Sequence, residues 1–232
     1  MIREELSKYL FRYIDTVEPS PELVVSVPKM MDATAFFPGG TGLWKEEQSN
    51  KFPSILVLGQ DFSTVHLYDK MMRAEKRDID GPTWRNLRKL FQEAELDLTE
   101  CFFSNVFMGL RNTESMTGRF PGAKDNTYVK RSTAFLMLQI KIICPRIIIT
   151  LGKYPSEILS ILSDDLKSWK SGMALRSPEK GILENVFIEG HRCTCIALVH
   201  PSMRNSNVHR RKYKDFSGNG AEVAMLRDAL NQ

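Results

Sequence analysis

Four short apolar runs stand out along the chain: residues 54–58 (SILVL), 101–106 (CFFSNV), 146–151 (RIIITL) and 195–199 (CIALV). Most do not alternate with polar residues, which suits strands of a parallel sheet covered on both faces. A further run, 185–189 (NVFIE), meets the last one through Gly190-His191, as the arm of a hairpin would. Between the runs the apolar period becomes helical. Residues 2–14 carry apolar side chains at 2, 6, 9, 10, 13 and 14, a single helical stripe. Residues 83–95 put Trp84, Leu87, Leu90 and Phe91 on one face, with Thr83 as the candidate cap. Residues 128–143 are long and amphipathic and end before Pro145; 155–162 begins with a proline at a favourable early position; 221–230 closes the chain. Strands alternating with helices predict an α/β fold, a three-layer α/β/α sandwich around a central, mainly parallel four-stranded sheet.

A length of 232 residues fits one domain over 1–232. Residues 19–51 are the least regular stretch and read as a long surface segment within that domain. Gly39-Gly40-Thr41-Gly42 is not followed by Gly-Lys-Ser/Thr, which removes a nucleotide-hydrolase phosphate loop. A formal charge of +4 permits a polyanionic partner without requiring one. No apolar run reaches the roughly 18 residues of a membrane span. Residues 1–15 lack the apolar core of a signal peptide, and a cytoplasmic location is expected. Cys101, Cys144, Cys193 and Cys195 form no Cys-x-x-Cys pair. Three of them, Cys101, Cys144 and Cys195, lie in apolar stretches and read as buried reduced thiols, not metal ligands.

The polar residues just past each run carry the candidate chemistry. The first run leads into Gly59-Gln60-Asp61-Phe62-Ser63, the second carries Ser104-Asn105, the third gives Gly152-Lys153, and the last gives His200-Pro201-Ser202. In open α/β sheets, ligands bind at the carboxyl ends of the strands. If the strands are parallel, Asp61, Asn105 and His200 converge on one edge, and a carboxylate, a carboxamide and an imidazole in a crevice are the makings of a site. Each has a structural reading as well: Asp61 as the cap of a turn, Asn105 satisfying loop backbone, His200 bonded to a carbonyl.

These segments resemble the motifs of the uracil-DNA glycosylases. Gly59-Gln60-Asp61 followed by an aromatic is similar to the water-activating Gly-Gln-Asp-Pro-Tyr of that family. Phe102-Phe103-Ser104-Asn105 resembles its base-reading strand, Ile147-Ile148-Ile149-Thr150-Leu151-Gly152 its strand and glycine turn, and His200-Pro201-Ser202 the loop that holds the flipped nucleotide. The order and spacing agree over roughly residues 50–205. Two departures matter. Phe62 and Ser63 stand where the motif has proline and tyrosine; the tyrosine resembles a wall against thymine's methyl group, and Ser63 leaves more room. Several related branches hold an iron–sulfur cluster on four cysteines, but the N-terminal cysteine pair is missing here and no cluster is expected.

The resemblance implies a monomeric DNA glycosylase that needs no cofactor or metal and extrudes its target base from the duplex. Asp61 would stabilise the sugar cation and orient water, and His200 would donate a hydrogen bond to the departing base. Asn105 would read the base edge, since a carboxamide both donates and accepts. Gln60 beside it would also bind the base. Trp84, where the relatives place a stacking phenylalanine, or Phe62 would stack on the base; core packing is the other reading of Trp84. Ser63, Ser202, Met203 and Arg204 would contact DNA, Met203 as a wedge in the gap left by the flipped base and Arg204 at phosphate. The competing expectations are a nucleic-acid-binding protein that keeps the fold without catalysis, and another nucleoside-processing enzyme on the same sheet.

Overall fold

A strand buried along its whole length needs cover on both faces, because successive side chains point opposite ways. The computed structural model, which describes residues 1–18, 20–27, 35–45, 50–73 and 81–232, shows that arrangement. The strands are β1 (Val24–Ser26), β2 (Ile55–Gly59), β3 (Cys101–Asn105), β4 (Gly109–Arg111), β5 (Ile147–Leu151), β6 (Ile182–Ile188), β7 (His191–Leu198) and the short pair β8 (Lys212–Tyr213) and β9 (Phe216–Ser217). The helices are α1 (Leu6–Phe11), α2 (Val65–Arg73), α3 (Pro82–Glu93), α4 (Asn126–Ile143), α5 (Lys153–Leu159), α6 (Met173–Arg176), α7 (Arg204–Asn207) and α8 (Gly218–Leu230). The central sheet runs β3-β2-β5-β7-β6, with β3, β2, β5 and β7 mutually parallel. The hairpin arm β6 joins as an antiparallel edge, so the sheet has five strands rather than the expected four.

Leu56, Leu58, Phe102 and Ile148 pack on one face with Leu136 and Ile140 of α4 and Leu159 of α5. Ile55, Val57, Phe103 and Ile149 pack on the other with Leu87 and Phe91 of α3 and Leu226 of α8. The helix that leads into β3, α3, and the helix that leads into β5, α4, therefore lie on opposite faces. The chain steps from β2 outward to β3 and then back across to β5, which makes the carboxyl edge between β2 and β5 the topological switch point, where such sheets open a crevice.

Several local expectations are corrected. The N-terminal stripe is not one helix: a 3-10 turn at Arg3–Glu5 leads into α1, which ends at Phe11, and another 3-10 turn comes at Ile14–Val17. Thr83 does not cap α3; Gly81 holds that position, and Pro82 begins the helix with a missing N–H that costs nothing there. α4 starts two residues early because Asp125 accepts from the backbone N–H groups of Thr127 and Tyr128, at 2.8 Å each. Cys144 is exposed rather than buried, in a left-handed conformation at the end of α4, whereas Cys101, Cys193 and Cys195 are buried free thiols.

The largest correction concerns residues 19–51. Among the described ones, β1 pairs with β4 and residues 35–44 are all buried. Phe37 N donates to Phe103 O at 2.9 Å, and Phe103 N donates to Gly42 O at 2.7 Å. The segment thus covers the free edge of β3 and satisfies backbone groups that would otherwise face solvent. The Pro19 end and residues 28–34 and 46–49 lie outside the described residues.

Candidate active site

The register of the sheet aligns Gly59 with Asn105, and Leu151 with Leu198, so the segments after β2, β3, β5 and β7 emerge at one edge. Asp61, Asn105, Gly152 and His200 stand on that edge. Asn105 is 3% exposed, and its carboxamide has no hydrogen-bond partner among the described residues. It lies over the bare Cα of Gly59, where a Cβ would collide with Asn105 Oδ1. Glycine is needed at 59 for that close approach.

The same hypothetical Cβ would sit 3.5 Å from Cε1 of Phe36, so the ring of Phe36 flanks the carboxamide. Phe36 belongs to the segment read from sequence as surface. It is held there by Phe103 and Trp84, with ring centroids 5.7 and 5.1 Å away. Trp84 itself is wholly buried, its ring 4.7 Å from Phe103 and 5.8 Å from Trp44. That corrects its reading as a base-stacking surface: it is a core side chain on the inner face of α3. Phe62 is half-buried, packs against core residues of both faces and lies against Gly39.

The Asp61 side chain is buried and heavily bonded. Its Oδ1 accepts from Ser63 N at 2.9 Å and Arg111 Nε at 3.0 Å, and its Oδ2 accepts from Arg111 Nη2 at 2.7 Å and Gln60 Nε2 at 2.8 Å. The bond from Ser63 N closes a turn in which Ser63 adopts φ +76°. Gln60 also donates to Gly118 O at 3.0 Å and accepts from Phe120 N at 3.3 Å, so it ties the 117–120 loop to the site.

His200 packs on Gly152, whose φ of +96° suits glycine and at which a Cβ would meet His200 Cβ at 3.2 Å. The Ser202 backbone N–H donates to Nδ1 at 3.3 Å, and the Ser202 hydroxyl lies 2.9 Å from the same nitrogen. With Nδ1 accepting, a neutral ring carries its proton on Nε2. Burial pushes the His200 pKa below the ordinary imidazole value, opposed by the charge of Asp61.

Beyond His200, Met203 is 45% exposed, whereas Arg204 is buried. Its guanidinium is taken by Glu222 and Asn219 of α8, which corrects the expectation that it reaches DNA. Glu222 also meets Arg211 Nε at 3.2 Å. Among the described residues no cluster of His, Cys, Asp and Glu could hold a metal ion, and no helix is long and apolar enough to cross a membrane.

Phe36, Arg111 and Glu222 are the residues that sequence reasoning missed. Arg111 had a visible signal, a lone charge closing the apolar run Val106-Phe107-Met108-Gly109-Leu110. Glu222 sits in a helical stretch with nothing to mark it as buried.

The family model of the uracil DNA glycosylase superfamily matches the chain over residues 50–218. That range includes Asp61, Asn105, Arg111 and His200 and leaves out Phe36 and Glu222. No curated protein matches the chain.

Proposed function

Because the chain belongs to the uracil DNA glycosylase superfamily, we propose that it is a DNA glycosylase, hydrolysing the N-glycosidic bond of uracil or a related damaged base in DNA. The observation that carries this reading is the carboxamide of the buried residue Asn105, without a hydrogen-bond partner among the described residues, beside the Phe36 ring and on the same sheet edge as Asp61 and His200. A bound base edge would supply the donor and the acceptor that this carboxamide lacks among the described residues.

A base turned out of the duplex lies against Phe36 and pairs with Asn105, which offers a donor and an acceptor to the uracil carbonyl and imide N–H. Cytosine presents the wrong pattern and leaves the site's polar groups unmatched. The C1′–N bond breaks with its electron pair leaving on the base, and His200 Nε2–H stabilises the base's carbonyl oxygen as negative charge develops. Asp61 stands by the sugar as it becomes cationic. A water oxygen bonds to C1′, and that water's proton ends on the departed base. Gln60 holds Asp61 and the 117–120 loop in place, Phe62 supports the wall through Gly39, and Ser63, Ser202 and the exposed Met203 face the DNA, Met203 filling the vacated stack. The protein acts in this reading as a cytoplasmic monomer.

Oligonucleotides carrying a single uracil, hypoxanthine, hydroxymethyluracil or mismatched thymine, incubated with the protein and examined for abasic sites, test the proposal. Excision of at least one, surviving EDTA, is expected. Binding to these strands without any abasic product would favour a non-catalytic binder.

A further inference from the structure

Arg111 closes β4 and is buried to 2% exposure. Its donors are divided between two sets of acceptors. Nε and Nη2 grip the two oxygens of Asp61, while Nη1 donates to Thr117 O and Nη2 to Gly118 O, both at 2.9 Å. Its guanidinium carbon lies 5.8 Å from the centre of the Phe120 ring. A two-pronged contact of this kind fixes the carboxylate's plane as well as its position. Counting Ser63 N and Gln60 Nε2, each carboxylate oxygen accepts two hydrogen bonds, which fills the roughly four lone-pair sites of a carboxylate. No such site remains for an in-plane water, so the Asp61 carboxylate is held in a fixed orientation.

We propose that Arg111 is the positioning residue for Asp61: its fork holds the carboxylate in one orientation towards the sugar and couples that orientation to the 117–120 loop. The inference rests on the glycosylase reading. Lysine at 111 keeps the charge but cannot hold both oxygens at once, because an ammonium is a point donor rather than a planar fork. A residue that acts through Asp61 should also matter only while the Asp61 carboxylate is present.

The test is a double-mutant cycle in single-turnover excision, built from wild type, Arg111→Lys, Asp61→Asn and the double variant, with oligonucleotide binding measured alongside. Arg111→Lys is expected to slow excision on the order of tenfold or more in the wild-type background and less than about threefold in the Asp61→Asn background, the non-additivity of groups that work as a unit. Equal slowing in both backgrounds overturns the inference, as does a wild-type rate for Arg111→Lys. Should Arg111→Lys not fold, Arg111→Gln combined with Asp61→Asn leaves no buried charge unmatched. Its rate should equal that of Asp61→Asn alone, and a lower one overturns the inference. Absence of excision by the wild type overturns the glycosylase reading and this inference with it, whereas wild-type excision with additive penalties overturns the inference alone.

Discussion

The carboxylate of Glu222, on the last helix, accepts the backbone N–H of Val199 at 2.7 Å, one residue before His200. The same side chain takes the guanidinium of Arg204, just past the His200-Pro201-Ser202 segment. One wholly buried acid thus pins both ends of the loop that carries the imidazole. Replacing it with glutamine leaves Arg204 and Arg211 as buried cations short of a partner. Breaking such a network costs about 3–5 kcal/mol, so Glu222→Gln should lower denaturant stability by that order, measured by urea unfolding. A loss below about 1 kcal/mol would mean that the network is dispensable.

The two glycines at the site set its clearances. Gly59→Ala drives a methyl group into Asn105 Oδ1, so the base-reading carboxamide must move, and excision should fall by at least tenfold. Gly152→Ala meets an unfavourable backbone as well as His200 and should cost about 1–3 kcal/mol of stability. Thermal melts and single-turnover rates measured together separate the two effects. Wild-type excision by Gly59→Ala would remove Asn105 from the reacting geometry.

Burial lowers the His200 pKa, and Asp61 opposes it. The ring should therefore stay neutral, with Nε2 as donor, below the usual imidazole midpoint of about 6.5. Protonation then favours the unfolded chain: the stability contributed by this group is present above the ordinary midpoint and is lost as pH falls through the lowered one. Titration of the His200 ring signal by NMR should give a midpoint under about 6.5, moving lower still in Asp61→Asn. A midpoint at or above the ordinary value, or an upward move in the variant, contradicts this.

Phe36 and Trp84 touch each other but should respond differently. Phe36→Leu keeps apolar volume and loses the aromatic face, so excision should slow about tenfold, within the roughly 1–3 kcal/mol that a stacked base contributes. Trp84→Leu should lower the melting temperature through lost core packing, while folded protein excises at close to the wild-type rate. The reverse pattern would restore Trp84 as the stacking surface.

The parallel strands and the residues at their ends are legible because a buried strand leaves a continuous apolar run, and the polar residues that follow it mark the carboxyl edge, where Asp61, Asn105 and His200 stand. Phe36 is not, because the apolar stretch at 35–37 is broken at once by Pro38-Gly39-Gly40, and the segment bonds to β3 across a gap of more than fifty positions in sequence. Periodicity sees only local neighbours. Trp84 and Arg204 differ from their sequence expectation for a related reason. An aromatic on a helix face and an arginine in a basic loop look alike whether they face solvent or core, and only the partners, Phe103 for the one and Glu222 for the other, decide.

The most direct test of the glycosylase account is single-turnover excision of uracil, or of whichever lesion the wild type removes, by wild type, Asp61→Asn and Asn105→Ala, with equilibrium DNA binding measured in parallel. Asp61→Asn should bind lesion DNA at least as tightly as wild type and excise on the order of a hundredfold more slowly, the usual scale for losing a positioned charged group. Asn105→Ala should lose discrimination between uracil and cytosine. Excision by Asp61→Asn at the wild-type rate would contradict the assignment of Asp61 to the chemistry and leave it as the cap of its own turn.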